Sequence, residues 1–112
     1  MITDSLCHTF RDMVRHNVYF WLDPSLTAEQ KAAFEEGLSA LVTIDVIQDG
    51  RFGRPAGTPP RPVTQNTFDY ALVLEFASVE KHDEYQVHPD NDVFVKQFSS
   101  WFKEVRVFDS QF

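Results

Sequence analysis

A single cysteine, Cys7, stands in the whole chain, so no internal disulfide can form, and no Cys/His spacing matches a zinc site. No apolar run approaches the roughly 20 residues needed to cross a bilayer. The basic-then-apolar order of a secretory signal is missing too, since Asp4 and Asp12 flank mostly polar residues. Positive charge is scarce: 10 Lys and Arg stand against 17 Asp and Glu, a net charge of −7 that keeps the protein soluble and repels nucleic acid backbones. There is no glycine-rich phosphate loop, no nucleotide fingerprint and no Ser-His-Asp order. One free thiol fits a reducing compartment. These absences predict a cytoplasmic protein that engages neither nucleic acid nor membrane.

What is present is aromatic. Eleven Phe among 112 residues point to a thick core or a ring-walled cavity in one domain. The organising stretch is Met13–Leu22, where Val14, His16, Val18, Phe20 and Leu22 alternate with Arg15, Asn17, Tyr19 and Trp21. A period of two is that of a β-strand. Both sets carry large apolar side chains, so each face of the strand needs a cover. Residues 1–12 show no period and read as an arm ahead of a domain spanning residues 13–112.

After Asp23-Pro24 breaks the ladder, Thr27 to Gln30 spells a capping box. Phe34, Leu38 and Leu41 then line one face of a helix predicted over Ala28–Leu41. Gly37 weakens that helix and reads as a small residue that lets it sit close to a sheet. Thr43–Phe52 is β-branched and reads as a second strand. Gly53–Thr67, with Pro55, Pro59, Pro60 and Pro62, reads as a stiff loop whose Arg54 and Arg61, like nearby Arg51, are solvated. Phe68–Phe76 is the third strand. Ser78 caps a helix to about Gln86, His88-Pro89 interrupts it, and Asp90 or Asn91 caps a second piece carrying Phe94, Phe98 and Trp101. Lys103–Asp109 closes the chain as a strand.

This β-α-β-β-α-β order predicts an α+β fold, a ferredoxin-like split βαβ repeat with helices on one face of a four-stranded antiparallel sheet. The other face, with Tyr19, Trp21, Val73 and Phe108, is expected to be covered by a second copy of the chain, sheet against sheet.

Chemistry is expected from His16, Tyr70, Tyr85 and the His88-Pro89-Asp90-Asn91 knuckle. His16 shares the helix-facing side of its strand with Val18 and Phe20, where it reads either as a neutral core histidine or as a base. Tyr70 projects toward the same side. Tyr85 lies one helical turn before His88, which directs phenol and imidazole into one space or into hydrogen bonds across the helix break. Converging, they form a proton acceptor beside phenolic donors, needing neither metal nor cofactor. His8 and His82 lack such company and are expected to be exposed. Asp90 and Asp92 read as caps rather than metal ligands.

Met-Val-Arg-His at 13–16 with Val-Tyr-Phe-Trp-Leu after it resembles the opening strand of the stress-responsive A/B barrel (Dabb) family. Tyr70–Phe76, Tyr85-Gln-Val-His-Pro89 with Phe94-Val95, and Val105–Asp109 are similar to later pieces of the same family in order and spacing. The resemblance covers residues 13–110 and implies a ferredoxin-like protomer dimerising into an α+β barrel. It further implies a pocket between sheet and helices. That family includes plant stress proteins and a cofactor-independent polyketide cyclase whose catalytic pair is a tyrosine and the second histidine of a His-Pro-x-His knuckle. Tyr85 matches the tyrosine, and His16 and His88 match family histidines. Asn91 stands in place of the second knuckle histidine and Tyr70 in place of a third-strand histidine, so the resemblance implies a different proton transfer through His16 or His88.

The expected function is therefore a homodimer binding a small apolar or aromatic molecule. The pocket is expected to be lined by Val18, Phe20, Phe34, Leu38, Tyr70, Leu72, Asn91, Phe102 and Val105. Two alternatives stand beside it. One is a cofactor-independent cyclase, lyase or monooxygenase using Tyr85, His88 and His16. The other is a non-catalytic stress-linked structural dimer.

Overall fold

The structure, a computed structural model, describes residues 12–112. Strand β1 (Val14–Leu22) is followed by helix α1 (Ala28–Leu41), then strands β2 (Asp49–Gly53) and β3 (Tyr70–Phe76). Helices α2 (Val79–Gln86) and α3 (Pro89–Phe98) come next, then a 3-10 turn over Ser99–Trp101 and strand β4 (Phe102–Gln111). The sheet runs β2-β3-β1-β4 and every pairing is antiparallel, which with the helices gives a ferredoxin-like architecture. The predicted arm, with Cys7 and His8, lies outside the described residues apart from Asp12.

Local chemistry sets the helix ends. The Thr27 hydroxyl accepts from the Gln30 backbone while the Gln30 side chain accepts from the Thr27 backbone, a reciprocal pair that satisfies two otherwise orphaned donors. Ser78 caps α2 through the Lys81 amide. The cap of α3 differs from the expected Asp90 or Asn91: His88 Nδ1 accepts from the Asp90 amide at 3.1 Å, and Pro89 takes the first helical position, where its missing N–H costs nothing. The predicted second strand is also shorter. Thr43 to Ile47 form successive turns, with the Ile44 and Ile47 amides bonded to the Leu41 and Ile44 carbonyls; the Gln48 amide then donates to Glu75 of β3, and the strand itself begins at Asp49. From these turns Ile44 enters the core, 5% exposed.

The core lies between sheet and helices. Phe34, Leu38, Leu72, Leu74, Phe76 and Phe98 are essentially fully buried. Phe34 meets the rings of Phe20, Tyr70, Phe94, Phe98 and Phe102 at centroid distances of 5.3 to 6.1 Å. Gly37 serves a helix rather than the sheet: a Cβ there would collide with the Phe98 ring, so its size sets the approach of α1 to α3. Between Trp21 and Leu22 the β1–β4 register shifts, so Leu22 pairs with Phe102 although Trp21 pairs with Glu104. The extra residue, Lys103, reverses the alternation and turns Phe102 inward, where its ring stands 5.3 Å from that of Phe20.

On the opposite face Tyr19, Trp21 and Phe108 border a groove of about 570 Å³ that the proline-rich loop edges with Ala56, Thr58, Thr64 and Phe68. The chain itself supplies part of that cover. The Phe68 ring stands edge-on to Tyr19 at 4.9 Å, Trp21 Nε1 donates to Thr67 Oγ1 at 2.9 Å, and Arg106 lies over the Trp21 ring. Phe68 precedes the strand, because β3 begins at Tyr70. Val73 shares this face and is half-buried. Among the described residues no helix is long and apolar enough to cross a membrane.

Candidate functional site

Cross-strand register makes the first contact of the site. His16 on β1 pairs with Asp109 on β4, and side chains directly opposite in an antiparallel ladder share one face. His16 Nδ1 lies 2.5 Å from Asp109 Oδ1. The imidazole is buried, with a side-chain exposure of 6% against 46% for the carboxylate, so the pair joins an interior ring to a solvated acid. Burial lowers the imidazole below its ordinary pKa, the hydrogen bond and charge of Asp109 oppose that shift, and His82 adds to it.

Helix α2 brings the remaining groups. His82 and Tyr85 are three residues apart and face the sheet together. The His82 ring stands 5.0 Å from that of His16, and Tyr85 stands 5.9 Å from it. Phe76 closes the box against both helix residues at 5.5 and 5.3 Å. Tyr85 has its phenol pushed well above the ordinary value by burial alone, so it stays protonated and able to donate. His82 was expected to be exposed; its side chain is instead only 16% exposed, and its Nε2 lies 3.8 Å from Asp109 Oδ2.

His16, Asp109, His82 and Tyr85 line one side of a cavity of about 320 Å³ whose other walls include Val18, Phe20, Leu72, Phe94, Phe102 and Val105, with Asn91 and Gln86 also in the lining. The cavity exists because α2 and α3 cover β1 and β3 but leave the inner side of β4 bare. Val105 and Val107, which point inward by alternation, remain 39% and 48% exposed.

Of the expected lining, Val18, Phe20, Leu72, Asn91, Phe102 and Val105 border this space. Phe34 and Leu38 do not, because they are sealed beneath α1 with no exposure. Tyr70 does not either. It sits beside Phe20 in the ladder, while His16 sits beside Leu74, four residues earlier on β1. At about 3.4 Å per residue that separates them by roughly 14 Å. The Tyr70 hydroxyl donates to Glu35 Oε2 at 2.6 Å, and Arg54 donates to the same oxygen at 2.8 Å. His88 is also apart: it caps α3, with its Nε2 3.6 Å from Asp45. Of the four histidine and tyrosine candidates, His16, Tyr70, Tyr85 and His88, the fold brings together His16 and Tyr85.

Sequence reasoning missed Asp109 and His82. Both left a signal: Asp109 is the one carboxylate on the Val105-Val107-Asp109 side of its strand, and His82 stands one turn before Tyr85 on the same stripe.

The model of the stress responsive A/B barrel domain family matches residues 14–112. No curated protein matches the chain. Among solved structures, a dimeric protein of unknown function and ferredoxin-like fold from Bacteroides fragilis is 27% identical, with a TM-score of 0.69 over 92% of this chain and 99% of that one. A Dabb family protein with a ferredoxin-like fold from Mesorhizobium loti is 23% identical, with a TM-score of 0.70 over 88% and 95%. A hydroxynitrile lyase from Passiflora edulis is 18% identical, with a TM-score of 0.77 over 91% and 94%, a likeness of fold alone.

Proposed function

The chain belongs to the stress-responsive A/B barrel domain family, and from that premise we propose that it is a cytoplasmic homodimer in which each protomer binds a small, largely apolar or aromatic molecule and moves a proton through His16. The observation that carries this reading is the His16–Asp109 pair in the wall of the open cavity. A carboxylate on one ring nitrogen fixes the tautomer, leaves the other nitrogen as the acceptor, and stabilises the imidazolium that forms. Tyr85, held protonated, is the donor suited to polarise a carbonyl or hydroxyl beside it. The apolar walls select an aromatic or aliphatic body, and the polar end recognises its oxygen. His88, at the cap, has a structural role in this scheme.

Two further points support the reading. The Bacteroides fragilis neighbour is described as dimeric, and the largely apolar sheet face of Tyr19, Trp21, Val73 and Phe108 is suited to the same use. The Passiflora edulis neighbour is a lyase, which motivates an aromatic hydroxynitrile as the first test substrate. Its cleavage needs one base: the hydroxyl proton passes to His16, the carbon–cyanide bond breaks as the carbonyl forms, and cyanide takes the proton back.

The test has two parts. Light scattering should give twice the 13.0 kDa chain mass. A screen of small aromatic aldehydes and hydroxynitriles by thermal shift and turnover should yield a compound that stabilises the protein, with turnover lost in His16→Ala and reduced in Asp109→Asn. A ligand whose binding and turnover ignore His16→Ala sinks the assignment.

A further inference from the structure

We propose that His16, His82 and Asp109 form a binding site for one divalent first-row transition ion, with Zn²⁺ as the simplest probe. The inference does not rest on the proton-transfer reading, since it concerns the same cavity wall in a second, ion-loaded state. One ligand atom from each of the three side chains lies within 4.8 Å of the other two. Asp109 stands between the two rings, with Oδ1 2.5 Å from His16 Nδ1 and Oδ2 3.8 Å from His82 Nε2. Around one zinc ion, with bonds of about 2.0–2.2 Å, tetrahedral ligand atoms stand roughly 3.3–3.6 Å apart. The 2.5 Å contact must open by about 1 Å, and the longest separation, up to 4.8 Å, must close by about 1.2–1.5 Å. The Asp109 side chain, 46% exposed on an edge strand, has room to rotate away from His16, and the His82 ring has to turn toward the cluster.

The donor set selects the ion. Two imidazole nitrogens and one carboxylate suit Zn²⁺, Fe²⁺, Co²⁺ or Ni²⁺, whereas Mg²⁺ and Ca²⁺ prefer all-oxygen shells. The surroundings also fit. A metal-bound histidine usually has its other ring nitrogen held by a carboxylate or carbonyl. His82 Nδ1 is 3.1 Å from Asp83 Oδ1, which leaves Nε2 as the nitrogen facing the cluster. Register fixes His16 opposite Asp109, and packing of Tyr85 on Phe76 fixes the helix that carries His82. Three protein ligands leave at least one coordination position free, the arrangement of an open rather than a closed structural site. All three line the cavity, so that position suits an oxygen or nitrogen donor on a small apolar molecule. Sequence spacing hides the site, because its ligands come from three separate elements and the first and last are 93 residues apart.

The experiment is calorimetric titration of Zn²⁺ into chelator-stripped protein, with Co²⁺ absorption spectra as the geometric readout. One ion per protomer is expected, with four- or five-coordinate Co²⁺ bands. His82→Ala and Asp109→Asn should each weaken binding by at least about 100-fold, and Asp83→Asn by about 10-fold, the range seen when a histidine loses its supporting carboxylate. His82 is on a surface helix, and circular dichroism of each variant checks that it folds. The same titration is run on a Cys7→Ser/His8→Ala chain, where binding should persist. Absence of binding, binding that survives both His82→Ala and Asp109→Asn, or binding that disappears with Cys7 and His8 overturns the site. Ligand binding measured in chelator reports separately on the base.

Discussion

The inner side of the sheet is filled at one end and open at the other, and each end holds a ring paired with a carboxylate. At the filled end Tyr70 donates to Glu35, which Arg54 also grips, above a core in which Phe34 and Phe98 have almost no exposure. At the open end His16 meets Asp109 beside a cavity edged by exposed valines. The contacts are alike but the settings are not. A ring–acid pair whose partners are all protein is a fastener, whereas a similar pair beside unfilled apolar walls has a nitrogen to spare for something else.

The sharpest way to break this comparison is to truncate each end. Phe34→Ala should destabilise the protein by about 3–5 kcal/mol, the cost of an aromatic cavity in a close-packed core. Val107→Ala, at 48% exposure, should stay within about 0.5 kcal/mol. Urea denaturation compares the two, and equal losses would mean the open end is as tightly filled as the other.

Overpacking tests the filled end from the other direction. Gly37→Ala should gain about 1 kcal/mol of helix propensity yet lose about 1–3 kcal/mol against the Phe98 ring. A net drop in Tm is expected, and a rise would show that α1 and α3 have room between them.

Tyr70→Phe should cost about 1 kcal/mol by urea denaturation, because Glu35 keeps Arg54 and stays partly solvated. Absorbance titration of the wild type should show the Tyr70 phenol ionising late. Burial first, then the Glu35 hydrogen bond and charge, push it up to about 12. Ionisation near the ordinary value would mean that neither the burial of the phenol nor its bond to Glu35 is kept in solution.

The smallest effect is on pH dependence. The Tyr70 hydrogen bond first, and the Arg54 hydrogen bond next, hold the Glu35 carboxyl below its ordinary range. The unfolded chain then binds the proton more readily than the folded one. The stabilisation is complete above the ordinary glutamate value of 4.5 and is lost as pH falls through the lower folded value. Stability curves of Glu35→Gln and wild type should therefore converge on acidification, and parallel curves would remove Glu35 from the account.

Much of this is legible in the sequence alone. The alternation of Val14 to Leu22, the Thr27 capping box and the stripe of Phe34, Leu38 and Leu41 are local patterns, and local patterns set local geometry. The site was half legible. His16 and Tyr85 could be named because each is unusual on its own face, but His88 was misjoined to them. Its imidazole accepts the Asp90 amide at the helix start, a demand that its place before Pro89 creates and that helical spacing alone does not reveal.

By itself the sequence determined the order of elements, the two-faced strands and the residues available for chemistry, since these depend on periods of two and 3.6 and on neighbours a few positions away. Tertiary structure decided who meets whom. The register that sets His16 against Asp109, the extra Lys103 that turns Phe102 inward, and the docking of α2 that half-buries His82 all join distant segments. Such pairings follow from how whole elements share one core, and no stretch of chain encodes that alone.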